Sequence, residues 1–343
     1  MIAVDASRLQ QLLEALSDPA LLFDHERRLA ASNALARTMF GLQHERYTPS
    51  QVFGTAQLAD LVEAAADAGK PVQLRHDLDG RELESTAAPV GTGVVLVLRD
   101  QTARSRVDAI RRDFVANASH EMKTPVSGIQ TLADALTVTL ESGDTERSRQ
   151  LSDRLADEAA RLGRLITELL SLRRLEEGRS LDRAPVDLVT LVTEEVGAIR
   201  TRTDAHGIGV HCELPRTAVM IGSEADLRLV VSNLLDNAVG YNRDGGSIEV
   251  ALSTSDGGWK LVVADSGIGI PRQDLDRIFE RFYRVDIARS RAAGGTGLGL
   301  AIVRHAVEGH GGSVRADSLL GEGSTFTVEL PVHPRSDPPP RSG

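Results

Sequence analysis

The chain has 343 residues, 41% of them apolar and only 3% aromatic, with a formal net charge of −10 and a single cysteine. That length and apolar content support two or three domains with cores of their own and exclude a wholly disordered chain. The acidic balance and the few aromatics argue against nucleic acid as a direct ligand, and lone Cys212 points to a reducing compartment and away from a cysteine metal site.

Residues 1–103 predict a small α+β domain. Leu9, Leu12, Leu13 and Leu16 mark one face of a short helix, with no basic stretch and apolar core before it to suggest a signal peptide. Short strands follow at 20–23 and 28–31, then a helix over 33–40 stopped by Gly41 and another over 58–68 stopped by Gly69. Strands are expected at 72–78, 81–89 and 92–99, the first two joined by the hairpin pair Asp79-Gly80. The longest uncharged apolar run, 87–98, holds two glycines and a proline and is too short to cross a bilayer. A cytoplasmic protein without membrane insertion is therefore expected. The pattern Asp18 to Asp24, then Asn33, Phe40-Gly41 and the closing strand 94–102, resembles a PAS sensor domain.

Residues 104–180 read as two long helices. Apolar or small residues recur at Val107, Ile110, Phe114, Ala118, Met122, Pro125, Ile129, Leu132, Leu136 and Leu140, in steps of three or four. His120 lies midway between Ala118 and Met122, opposite that stripe, and Thr124 follows one turn later on the same face. Taken alone, His120 is a surface histidine on an amphipathic helix. Pro125 is expected to kink or loosen the helix. After a turn at Gly143, a second helix over 145–177 carries Leu151, Leu155, Leu162, Leu165, Leu169 and Leu172, with Asp144 or Thr145 at its start and Gly178 at its end. One such hairpin buries both stripes poorly. Pairing two copies into a dimeric four-helix bundle buries them well, so a homodimer is expected.

Residues 181–333 predict a third domain. A helix over 188–205 precedes strands at 208–214 and 218–221, then a helix capped by Ser223 that carries Asn233, Asn237 and Gly240. Strands at 247–255 and 259–265, a helix over 298–308 and strands at 313–317 and 324–330 complete it. The tail 334–343, with four prolines, is expected to be disordered.

Two glycine clusters stand out: Asp265-Ser-Gly267-Ile-Gly269 and Gly294-Gly295-Thr-Gly297-Leu-Gly299. The second does not follow a predicted strand, which rules out the dinucleotide-binding fingerprint, and there is no P-loop or Ser/Thr-kinase motif set. A glycine-rich loop that opens a helix suits phosphate, through free N–H groups and the helix dipole. Asn233 and Asn237, one turn apart, offer hard oxygens of the kind Mg²⁺ takes. Asp265, ending a strand, can accept a hydrogen bond from an exocyclic amine.

Five motifs in order and spacing, from Arg104 to Pro331, resemble those of two-component sensor histidine kinases. These proteins join a HisKA-type helical hairpin to a GHKL, or Bergerat-type, α/β-sandwich that binds ATP. The motifs are 114–125 around His120 (H-box), 233–238 (N-box), 265–269 (first glycine box), 278–284 (F-box) and 295–300 (second glycine box). The resemblance implies that His120 accepts the γ-phosphoryl group of ATP, that Glu121 removes the ring proton, and that the label passes to an aspartate of a response regulator receiver domain. It implies that Asn237 ligates Mg²⁺ with Asn233 near the phosphates, that Asp265 binds the adenine amine, and that Gly267 and Gly269 admit the ligand. Gly295, Gly297 and Gly299 would hinge a lid over the phosphates, and Arg284 would reach the γ-phosphate. Glu121 to Thr124 match a Glu-x-x-Thr pattern implying regulator phosphatase activity through Thr124. The family often carries Lys where this chain has Gly240, so that basic contact is either absent here or taken over by Arg243. An ATP-binding scaffold without kinase activity and a conformational ATPase of the same fold are the competing readings.

Overall fold

The computed structural model describes residues 6–43, 46–177, 183–285 and 295–333. Gly178, Gly294 and the tail 334–343 lie outside the described residues, as do the side chains of Leu9, Val107 and Ile110. Two compact units meet between Asp113 and Phe114.

In the N-terminal unit, strands β1 (Ala20–Phe23), β2 (Leu29–Ser32), β3 (Val72–Leu78), β4 (Arg81–Val90) and β5 (Gly93–Asp100) form one antiparallel sheet in the order β2-β1-β5-β4-β3. The β3–β4 hairpin turns at Asp79 and Gly80, both at positive φ, as the Asp-Gly pair predicts. Helices α1 (Ala6–Glu14), α2 (Ala34–Phe40), α3 (Pro49–Phe53) and α4 (Ala56–Ala68) accompany the sheet. Leu16, expected on the first helix, lies beyond its end. Helix α3 was not foreseen: it is five residues long and is set by local chemistry, with Pro49 at its first position and the Gln51 side chain accepting from the Thr48 N–H at 2.9 Å. Phe53 of this helix meets Phe23 and Phe40 edge-on, at 6.0 and 5.2 Å between centroids, inside the core. Buried Asn33 caps α2 and ties it to the sheet: its side chain accepts from Ala36 and Ala20 N–H and donates to the Asp18 carbonyl.

The second unit contains α5 (Thr102–Ser142) from Phe114 onward and α6 (Thr145–Glu176), joined through Gly143 at positive φ. Helix α5 continues through Pro125, and proline there removes one N–H, the partner of the Glu121 carbonyl. The stripe on α5 is only partly covered, and Leu140 is 62% exposed. Val115, Val126, Val138, Ile166 and Leu170 of the two helices are exposed as well.

Strands β7 (Gly209–Glu213), β9 (Ser247–Ser255), β10 (Gly258–Asp265), β11 (Ser313–Leu319) and β12 (Gly323–Pro331) form a sheet ordered β11-β12-β10-β9-β7, antiparallel except for β7–β9. Ile248, Val250 and Leu252 alternate inward along β9, as a half-buried strand requires. They share a core with α7 (Leu188–Ala205), α8 (Glu224–Gly240) and α9 (Gly299–Gly309). Strand β8 (Val219–Gly222) pairs with β6 (Ala184–Asp187), a four-residue strand too short to be foreseen and interrupted by Pro185.

His310 joins α9 to α8. It is 3% exposed; its Nδ1 donates to the Ala306 carbonyl at 2.7 Å and its Nε2 accepts from the Ser223 N–H at 3.0 Å. Accepting a backbone N–H requires a neutral ring, and burial holds the His310 pKa below the usual histidine range. With the folded pKa depressed, this contribution to stability is complete above the ordinary histidine pKa and is lost as pH falls through the folded value. His310→Ala should lower unfolding stability by about 1–3 kcal/mol, by leaving the Ser223 N–H unpaired, and should flatten the acid limb of stability measured by urea titration between neutral and mildly acid pH. An unchanged acid limb would show that His310 is not the titrating group.

Candidate functional site

Helix α8 is built to hold a polar face against a void. Ser223 caps it, accepting from the Asp226 N–H, and Leu227, Val230, Val231, Leu234, Leu235 and Ala238 fill the core side. The opposite side carries Asn233 and Asn237 to the wall of a cavity of about 890 Å³. That volume is within the range of sites for small organic ligands. Asn233, Asn237, Asp265, Gly267, Gly269, Arg284, Gly295, Gly297 and Gly299 all line it. Gly240 and Arg243 line it too.

Two glycines are fixed by close backbone approach. A Cβ on Gly267 would lie 2.2 Å from the Tyr241 carbonyl oxygen, and one on Gly299 would lie 2.5 Å from Asn233 Oδ1. Asn233 is held from the other side, its Nδ2 donating to the Leu229 carbonyl at 2.7 Å. The Gly267 N–H donates to Asp265 Oδ1 at 2.8 Å, which orients the carboxylate at the end of β10. Burial pushes the Asp265 pKa up, partly offset by that bond and by one from the Ser324 backbone.

The hairpin enters the same neighbourhood. Leu165 and Leu172 of α6 bury against Leu298, Ala301 and Ile302 at the start of α9, with Phe114 and Met122 of α5 and Phe282 beside them. Arg174 pairs with Asp226, and Arg281 with Glu176 at 2.8 Å. Arg164 and Glu168 of α6 line the cavity, and Glu168 accepts from the Thr296 hydroxyl. Sequence reasoning missed both, because nothing in a helix repeat announces contact with a loop more than a hundred residues away. Arg284 donates to Glu121 at 3.1 Å and to the Gly295 carbonyl. Its side chain is 5% exposed and its buried Nη1 has no partner, which suits an anionic ligand. Glu121 and Arg284, expected to serve a histidine and a phosphate, thus hold each other. His120 is exposed, and the Thr124 hydroxyl donates back to the His120 carbonyl at 3.3 Å. Among the described residues no three His, Cys, Asp or Glu side chains gather to hold a metal.

The class this defines is a nucleotide-type α/β domain docked on a helical hairpin that presents a histidine. Residues 222–334 match the family model described as histidine kinase-, DNA gyrase B- and HSP90-like ATPase, and residues 110–178 match the His Kinase A (phospho-acceptor) domain. The sensor-like histidine kinase SenX3 of Mycolicibacterium smegmatis is 41% identical over 241 residues, 70% of this chain and 62% of the relative. Sensor protein SrrB of Staphylococcus aureus is 34% identical over 241 residues, 70% of this chain and 41% of the relative. The chain belongs to the sensor histidine kinases of two-component systems. It spans about three fifths or less of the length of these relatives. In fold it is similar to histidine kinase ThkA, solved in complex with response regulator protein TrrA, with a TM-score of 0.55 over 95% of this chain and 99% of that one at 19% identity. Histidine kinase AdeS of Acinetobacter baumannii gives a TM-score of 0.51 over 62% of this chain and 98% of that one at 23% identity. No described helix is long and apolar enough to cross a membrane.

Gly299→Ala should displace Asn233 and weaken binding of an adenine nucleotide about tenfold or more, the cost of overpacking a tight contact, while the thermal unfolding midpoint of the ligand-free chain moves little. Calorimetric titration reads the first and differential scanning the second; unaltered affinity would remove Asn233 from the binding surface.

Proposed function

We propose that the chain is an ATP-dependent protein-histidine kinase that phosphorylates His120 and passes the phosphoryl group to an aspartate of a response regulator receiver domain. The observation that carries this is the single cavity lined by Asn233, Asn237, Asp265 and the glycine-rich loops, in the same unit as the exposed His120. Asp265, oriented by Gly267, accepts from the adenine amine. Asn237 would hold Mg²⁺ through its side-chain oxygen. Bound there, the ion would neutralise charge on the phosphates.

In the transfer step a ring nitrogen of His120 bonds to the γ-phosphorus as the bond to the ADP oxygen breaks, and the ring proton passes to Glu121. Glu121 must first leave Arg284, which frees Arg284 for the transferred group. Thr124, one turn from His120, would orient water for regulator dephosphorylation. The matched families support the hairpin over 104–180 and the ATP-binding domain over 181–333; the proposed layout adds a PAS-like sensor domain over 1–103 and a place in the cytoplasm. The five-stranded antiparallel sheet with its short helices supports the PAS-like reading.

Incubation with γ-labelled ATP should give acid-labile, base-stable label that His120→Ala and Asn237→Ala abolish and Thr124→Ala retains. An unlabelled chain that still binds ATP would favour the scaffold.

The exposed Val115, Val126, Ile166 and Leu170 on the hairpin support a homodimer through a four-helix bundle. The full chain should sediment as a dimer, and Val126→Glu with Leu170→Glu should shift it to monomer. A monomer at micromolar concentration in the unaltered chain contradicts the bundle.

A further inference from the structure

The cavity wall is supplied by different elements. Asp265 and Gly267 line it where β10 ends, and the hairpin supplies Arg164 and Glu168, against Thr296 and Arg284. If the base meets Asp265 and the terminal phosphate must reach His120 on the hairpin, as the proposed transfer requires, that phosphate comes to the part of the wall the hairpin supplies, Glu168 included.

Glu168 occupies a donor that this phosphate would use. Thr296 sits between Gly295 and Gly297, is buried, and gives its hydroxyl proton to Glu168 Oε2 rather than to the cavity. Glu121 does the same to Arg284. Carboxylate and phosphate oxygens compete for the same hydroxyl and guanidinium donors, and two anions sharing them repel. Burial pushes the Glu168 carboxyl above its usual range; the Thr296 bond and the Arg164 and Arg284 charges act against this, while Asp236 adds to it. Arg164 and Arg284 thus hold a positive field here that either anion can use.

Resting on the nucleotide reading above, we propose that Glu168 is a specificity-determining residue of the cavity: bound to Thr296 it excludes a terminal phosphate, so the docked hairpin accepts a nucleoside diphosphate and a triphosphate enters only as Glu168 withdraws. Discrimination by phosphate count is then a property of hairpin docking. The α/β domain alone lacks the carboxylate that enforces it.

Calorimetric titration of the full chain with Mg²⁺–ADP and with a non-hydrolysable Mg²⁺–ATP analogue tests this. The unaltered chain should bind the analogue no more tightly than ADP. Glu168→Gln removes the charge and keeps the shape, and should raise analogue affinity about tenfold while ADP affinity changes less than about twofold, since a like-charge clash is relieved only for the longer ligand. Glu168→Ala should act in the same direction, and thermal scans should show both variants folded. Equal shifts for both nucleotides, or weaker analogue binding in the variants, would overturn the assignment, the latter by making Glu168 a helper of the triphosphate. Absence of any nucleotide binding by the unaltered chain would remove the nucleotide reading itself, and this inference with it.

Discussion

The docking of the hairpin within the second unit depends on one apolar contact, Leu165 and Leu172 of α6 against Leu298, Ala301 and Ile302 of α9. It seats the helical hairpin on the first turns of the helix that the second glycine cluster opens. Everything polar between hairpin and cavity follows from it. Glu168 lies between the two leucines along α6, so once they are buried its carboxylate can only face the loop that holds Thr296. On α5, Phe114 packs 5.9 Å from Phe282, and Glu121 two turns later comes within reach of Arg284 two residues beyond that phenylalanine. The apolar contact sets position, and the polar pairs inherit their geometry from it.

The cavity itself is a consequence of missing side chains. Helices α8 and α9 pack closely where they meet, and the place where Gly299 touches the Asn233 amide is the point at which a methyl group would push that side chain aside. At the opposite wall the absence of a side chain on Gly267 lets its N–H fold back onto Asp265 under the Tyr241 carbonyl. The polar face of α8 therefore stays open because its neighbours are backbone, and a ligand that replaces water there meets N–H groups and amide oxygens directly. A negatively charged protein can still favour a polyanion locally, because Arg243, Arg284 and Arg164 converge on this one void.

Much of this was legible in the sequence where chemistry is local. The Ser223 cap, the Asp79-Gly80 hairpin, the helix stops at Gly41 and Gly69, and the alternation along β9 are each dictated by a few adjacent residues. The nine cavity residues named from the motifs do line one cavity, because a motif is a short-range record of a backbone shape. What stayed hidden is long-range. Helix α3 and strand β6 are too short for periodicity to register, and their stability comes from partners: Phe23 and Phe40 for one, β8 for the other. Arg164 and Glu168 look like ordinary polar residues beside a leucine stripe. Only the docking of α6 on α9 gives them a role, and no spacing rule links positions so far apart. Glu121 and Arg284 were each recognisable; that they hold each other was not, since the pairing belongs to an arrangement of elements rather than to either motif.

That arrangement is poised by the size of the contact that sets it. Burying two leucines contributes roughly 1.5–3 kcal/mol each, so Leu165 and Leu172 alone contribute about 3–6 kcal/mol to holding the hairpin on α9. The accompanying ion pairs add little net, because Arg284 and Asp226 were desolvated to make them, and Arg284 Nη1 and Arg174 Nε stay buried without partners. Reversing a two-state population from about 99:1 to 1:99 takes about 5.5 kcal/mol of differential binding. The docking energy and the work available from a tightly bound ligand are therefore of the same order. A larger apolar seam would lock Glu121 and Glu168 onto the loops permanently. A smaller one would leave both carboxylates in water, with no influence on the cavity. The seam is of the size at which a ligand in the cavity and the pose of the hairpin can each shift the other, and thermodynamic linkage makes that influence mutual.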